Sequence, residues 1–176
     1  EEIVAAAEEN SDNSSGEDTS EESVSDVEES FTDPSEKLLD LGASSFSYTV
    51  TAEDLASTEE IIIPISDSKI SLTEISVKTS ATEVFTVNVE SFAAAPSDVV
   101  GVDNAYQYLD ISFDGLNNTE IEETEVNFKV ERSWLLLNDY SETRVYLSSY
   151  SGTVWEKLST SLTERGDELN TYVAKP

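Results

Sequence analysis

At 176 residues the chain has room for one ordinary domain and a tail, and a domain of that size buries a sufficient core without staples. Its 38 acidic residues against 9 basic ones give a net charge of −29, which repels nucleic acid and anionic membrane surfaces. Cysteine and histidine are both absent, which excludes disulfides, thiol chemistry, zinc sites and histidine-based catalysis.

Residues 1–37 hold 14 acidic residues and one basic one, with Ser and Thr filling the gaps. Such a composition cannot bury enough apolar surface to offset its ordering entropy, so the expectation is an acidic arm or stalk over 1–37 ahead of a domain over 38–176. Glu1–Glu9, which carries Ile3 and Val4, is the exception: it can form a turn or two of helix or dock as a strand. Asn13-Ser-Ser15 is a sequon for N-linked glycan, and Asn117-Asn-Thr119 is a second one in an expected turn. Ser11, Asn13, Ser15, Gly16 and Glu22 have the spacing of a calcium loop, but Asp is missing from the first position and no flanking helices are evident. The expectation is therefore no cofactor, and at most diffuse calcium binding by the many carboxylates. No apolar run approaches the roughly 20 residues that span a bilayer, and no stretch reads as a signal peptide. A start at Glu1 with no methionine fits a processed, mature product and equally a trimmed piece of a longer chain.

Pro34 and the Lys37–Gly42 clump mark the domain entry. In Ala43–Thr51, Phe46, Tyr48 and Val50 share one face, which predicts a strand; Glu53–Thr58 predicts a turn or one helical turn. Ile61, Ile62, Ile63 and Ile65 form a continuous apolar run interrupted by Pro64, which cannot donate to a ladder and so places the run at a sheet edge. Ile70-Ser-Leu72 and Ile75-Ser-Val77 are out of phase by one residue, as a bulge would make them. Phe85, Val87 and Val89 alternate cleanly, and Phe92–Gly101 reads as a sheet-to-sheet crossover.

Leu109, Ile111 and Phe113 then alternate with polar neighbours, and Val126, Phe128 and Val130 do so again after Gly115–Asn118. Two such strands joined by a Gly/Asn turn are expected to pair antiparallel. Arg132–Leu137 predicts a single helical turn capped by Ser133, with Trp134 plugging the end of the core. Val145–Tyr150 and Val154–Trp155 flank a turn at Ser151-Gly152, and a last hairpin from Leu158 to Val173 turns at Arg165-Gly-Asp167, where Gly and Asp suit any hairpin. Tyrosines 106, 108, 146, 150 and 172 are expected to pack between strands; the alternative is an exposed stripe that stacks on sugar rings.

The ordered runs Ala105-Tyr-Gln-Tyr-Leu-Asp-Ile111, Val126-Asn-Phe-Lys-Val130, Ser133-Trp-Leu135, Val145-Tyr-Leu-Ser-Ser-Tyr150 and Trp155-Glu-Lys-Leu158 resemble the PGF-pre-PGF domain of archaeal secreted and cell-surface proteins, over about Lys69 to Pro176. The resemblance implies a secreted, surface-anchored β-domain and brings no catalytic residues. The family's tyrosine-rich last hairpin is reduced here to Leu169-Asn-Thr-Tyr-Val173, and where the family continues beyond its Pro into Gly-Phe-Ser-Tyr-Phe and a final strand, this sequence stops at Pro176. Phe46-Ser-Tyr48 resembles that absent piece, so residues 42–52 either take the place of the missing strand, in the same chain or in a neighbour, or form a strand of their own sandwich with the last strand simply left out.

A sheet lacking a strand is a template for an added one. The expectation is an all-β antiparallel sandwich, Ig-like or jelly-roll-like, of eight to ten strands, displayed outside the cell and not an enzyme. No nucleophile elbow, phosphate-cradling glycine loop or distinguished carboxylate pair appears in the sequence. Self-association by strand donation is the expected partnership, with Phe46, Tyr48 and Val50, or Ile61, Ile62, Ile63 and Ile65, as the donated strand or inter-subunit edge. The alternative is a monomeric adhesin or carbohydrate-binding module that holds glycan.

Overall fold

In a computed structural model of the chain, the alternating segments fold into two antiparallel sheets packed face to face, an all-β sandwich. The structure describes the backbone of Glu2–Ala7 together with residues 41–57 and 60–176. In chain order the elements are β1 (Glu2–Ala7), β2 (Ser44–Val50), α1 (Ala52–Ser57), β3 (Glu60–Pro64), β4 (Leu72–Thr79), β5 (Phe85–Phe92), β6 (Ala105–Asp114), β7 (Ile121–Glu131), α2 (Arg132–Leu137), β8 (Val145–Tyr150), β9 (Trp155–Lys157), β10 (Ser159–Arg165) and β11 (Leu169–Lys175). Sheet A runs β2-β5-β6-β1-β8-β9 and sheet B runs β10-β11-β7-β4-β3.

The core lies between the sheets and is built from the period-two positions. Phe85, Val87 and Val89 of β5 and Leu109 and Ile111 of β6 are buried from sheet A. Ile75 and Val77 of β4, Val126, Phe128 and Val130 of β7, and Tyr172 and Ala174 of β11 are buried from sheet B. Each large side chain fully buried in this layer contributes about 1.5–3 kcal/mol of transfer free energy, which is why alternation decides the face each strand presents. Phe128 and Tyr172 stack at 5.3 Å between ring centroids. At one end Trp134 closes the core against Tyr106 at 5.0 Å and Tyr140 at 5.5 Å.

Several local expectations hold. β3 is the edge of sheet B, with Pro64 exposed. The β4–β7 register shifts between Leu72 and Glu74, the bulge that the phase change required. α1 is one short helical segment, and β8–β9 and β10–β11 are antiparallel neighbours.

Three expectations are corrected. β6 and β7 do not pair: β6 stays in sheet A, and β7 lies in sheet B between β4 and β11. The reason is in the connection. Gly115 takes φ +90°, Leu116 is drawn into the core at 8% exposure, and a 3-10 turn follows at Asn118–Glu120, so the chain crosses the sandwich and does not double back. Conversely, Phe92–Gly101 changes no sheet, because β5 and β6 are antiparallel neighbours within sheet A. α2 begins at Arg132 with Glu131 at the N-cap and no capping side chain, so Ser133 lies inside the helix and is not its cap.

Candidate functional site

The unusual feature of sheet A is the place of β1. It lies between β6 and β8, antiparallel to both, with Ile3 opposite Leu109 and Ser149, Val4 opposite Tyr108 and Ser148, and Ala5 opposite Gln107 and Leu147. Among the described residues β6 and β8 do not pair, and β1 alone joins the β2-β5-β6 half of the sheet to β8-β9. Take β1 away and two rows of backbone N–H and C=O groups face each other across a one-strand gap, each an unsatisfied edge. Residues 8–40 separate this strand from the rest of the described chain. A peptide of that length reaches roughly 110 Å when extended.

The floor of the groove is apolar and fixed. Leu109 and Leu147 are fully buried, Val145 is buried beside them, and Gln107 is buried with its amide satisfied. Gln107 Oε1 accepts from the Ser71 N–H at 2.7 Å and its Nε2 donates to the Lys69 carbonyl at 2.6 Å, which pins β6 to the segment leading into β4. The β1–β6 register shifts between Ala5 and Ala6, opposite Ala105–Gln107. That bulge lets the sequence neighbours Tyr106 and Gln107 both reach the opposite sheet: the Tyr106 hydroxyl accepts from the Glu131 N–H at 3.3 Å.

The other side of the groove carries aromatic rings. Tyr108 alternates with the core residues Leu109 and Ile111 and so belongs to the outer face of sheet A. Its ring centroid lies 6.2 Å from that of Trp155, which in turn lies 5.0 Å from that of Tyr150. Trp155 Nε1 donates to the Val100 carbonyl at 2.7 Å. The Tyr108 hydroxyl donates to the Val102 carbonyl at 3.0 Å and accepts from the Val102 N–H at 2.8 Å. Nearby, Lys157 Nζ sits 4.1 Å from the centroid of the Tyr146 ring.

The residues singled out from sequence lie elsewhere. Phe46, Tyr48 and Val50 are on β2, the edge of sheet A, paired on one side with β5; Val50 is fully buried, and Phe46 and Tyr48 pack against the core. Ile61 and Ile63 of β3 and Ile65 just beyond it are buried, while Ile62 is 56% exposed on the open edge. Each of β2 and β3 thus fills an edge place, and neither lies between β6 and β8. Asn117 is exposed on the β6–β7 connection, its Nδ2 and backbone N–H both donating to Glu120 Oε2 at 2.9 Å. Asn13 and the calcium-loop spacing around it fall outside the described residues. Tyr106 and Tyr172 are buried in the core, and Tyr108, Tyr146 and Tyr150 are covered or half covered by neighbours.

On the outer face of sheet B a shallow hollow is lined by Glu60, Ile62, Lys78, Glu123, Glu125 and Lys175. Lys175 Nζ pairs with Glu125 and, at 3.1 Å, with Glu123; these carboxylates hold its ammonium above the ordinary lysine value. Among the described residues no acidic cluster has the geometry to hold a metal ion, and no helix is long and apolar enough to cross a membrane. Comparison with family models, with curated proteins and with solved structures gives no match.

Proposed function

We propose that this protein is a structural subunit of an archaeal cell surface, built into a filament or layer outside the cell by β-strand donation. One observation carries the reading: a sheet-interior strand, β1, is linked in sequence to the remainder of the described chain through residues 8–40 and completes a gap that no other described strand fills. An ordinary interior strand is held by short connections to its neighbours; this one follows no described neighbour in sequence and, among the described residues, pairs with β6 and β8. A tethered strand with a matching gap can close on its own chain or on the next, and donation from copy to copy in one direction does not close and so grows a filament. The exposed Ile62 on the open edge of β3 gives a second surface for lateral contact between copies.

The cell-surface assignment rests on the resemblance of Lys69–Pro176 to the PGF-pre-PGF domain and on the acidic composition. It needs no catalytic residue, and the acidic surface keeps such subunits soluble in a salt-rich, like-charged envelope. The sugar-stacking alternative finds less support: the rings of Tyr108, Tyr150 and Trp155 are tilted against one another and tied to backbone, and do not form a flat platform.

The test is electron microscopy with light scattering on native surface material and on the full chain over a range of concentrations. Filaments or layers whose mass grows with concentration are expected. A well-folded monomer at every concentration, retaining bound glycan, overturns the reading in favour of a binding module.

A further inference from the structure

The rings of Tyr108 and Trp155 come from β6 and β9, which are separated in sheet A by β1 and β8. Strands three places apart in a sheet are about 14 Å from first to last, so rings only 6.2 Å apart must lean toward each other across the intervening backbone. What they lean across is β1: Val4 is in register with Tyr108, Glu2 is in register with Tyr150, and Tyr150 is in register with Trp155. The cluster is held closed from behind, since Val100 receives the indole N–H and Val102 both receives and supplies a hydrogen bond at the Tyr108 hydroxyl.

We propose that Tyr108, Tyr150 and Trp155 form a latch over the groove between β6 and β8, and that the ligand it holds in the assembled protein is the segment Glu2–Ala7 of a second copy. The inference rests on the strand-donation reading and names its partner and its lock. A peptide entering edge-on pairs with β6 and β8 through backbone hydrogen bonds that any sequence offers; the latch adds a closure that must open before the strand leaves. Ile-Val-Ala-Ala-Ala suits the place, being free of Pro and Gly and bounded by glutamates that end the apolar run. The partner is a copy of this chain because a segment as long as residues 8–40 is sufficient, when extended, to span from one domain to the next, while the groove opens at the edges of β6 and β8, where an extended strand fits.

The chain has no cysteine, so introduced thiols report without background. Val4 and Ser148 are directly opposed across β1 and β8. Opposed Cα atoms in an antiparallel pair lie about 4.5–5.5 Å apart, within the span of a disulfide. The full chain carrying both Val4→Cys and Ser148→Cys is oxidised and run on a denaturing gel. A ladder of covalent oligomers is expected; a single band of internally closed monomer assigns the groove to its own strand and overturns the proposal. Filaments seen by microscopy together with only closed monomers would leave the structural function standing and sink donation of this strand, whereas neither filaments nor ladder would sink both.

The latch is read separately, from exchange of labelled subunits between preformed assemblies of the full chain. Aromatic pairs of this kind are worth enough that losing both contacts of Trp155 corresponds to about a tenfold faster strand release. Trp155→Ala is expected to speed exchange by about that factor, and Trp155→Phe, which keeps a ring but loses the N–H given to Val100, to fall between it and the parent chain. Should Trp155→Ala fail to fold, Trp155→Phe alone decides. Exchange unchanged in a folded variant overturns the latch.

Discussion

Tyr172 is 1% exposed, stacks on Phe128 and donates its hydroxyl to the Glu142 carbonyl at 3.1 Å. Burial pushes that hydroxyl up to about 12, the Glu142 carboxylate adding to the effect, and burial with the Glu131 carboxylate raises Tyr106 as well. Both shifts have the same sign: the folded state holds the neutral phenol more tightly than the unfolded chain, whose tyrosines ionise near 10. Their contribution is therefore fully present below about pH 10 and is lost as pH rises from there through the folded values. Thermal melts should be insensitive to these groups at neutral pH and fall steeply on the alkaline side. Tyrosinate absorbance should show two phenols that ionise only as the protein unfolds. Tyr172→Phe keeps the stack, costs about 0.5–1.5 kcal/mol at neutral pH through the lost hydrogen bond, and should flatten the alkaline loss. At this scale the sequence was highly legible. Phe85, Val87, Val89, Leu109, Ile111, Val126, Phe128 and Val130 were assigned to buried faces by alternation, and all are buried, because one-sided burial writes period two directly into the residue types.

Elements were harder to join than to find. Nothing in the composition of Gly115–Asn118 distinguishes a hairpin from an arch across the sandwich; the difference is Leu116, whose burial is decided by the far sheet. β1 left a fainter trace still. Ile3 and Val4 are two strand-favouring residues in a short run that is also compatible with helix, and their partners lie near the opposite end of the sequence. The latch was out of reach for the same reason, since bringing Tyr108 to Trp155 requires knowing that β1 and β8 lie between their strands. The place of β1 makes a sharp prediction at this scale. Proline is tolerated at edges and not between two ladders, so Val4→Pro should remove one ladder bond and orphan a carbonyl, at a cost of about 1–3 kcal/mol. Assembly of the full chain, followed by light scattering, should be lost, while the same substitution beyond the strand, Asp12→Pro, should leave it intact. Assembly undiminished by Val4→Pro would mean that β1 is not what joins the copies.

The molecule as a whole carries −29, and copies of it repel before any strand can dock. The repulsion between surfaces is screened over about 10 Å at 0.1 M salt and over shorter distances as salt rises. Association should accordingly speed up by roughly tenfold or more between about 0.02 and 0.5 M salt, the reverse of the behaviour of oppositely charged partners. Stopped-flow scattering measures it, and a rate that falls with salt would point to attraction between unlike patches. A join made by the proposed strand donation would consist of backbone hydrogen bonds and buried apolar contacts and should resist salt.

The position of β1 also fixes an order of events during synthesis. Ile3 pairs with Leu109, 106 residues later, and with Ser149, 146 residues later, so β1 is translated well before its first partner and longer still before its second. At about 5–20 residues per second the delay is on the order of 10 s. Pairing across so long a stretch of sequence is also the slowest kind to form. The rest of the sandwich has time to fold around an empty groove, and closing that groove becomes the final folding step. Under the proposed strand donation, a subunit that reaches this stage beside a growing end has two equivalent strands within reach, its own and its neighbour's, and polymerisation would then be the last step of folding, carried out between chains.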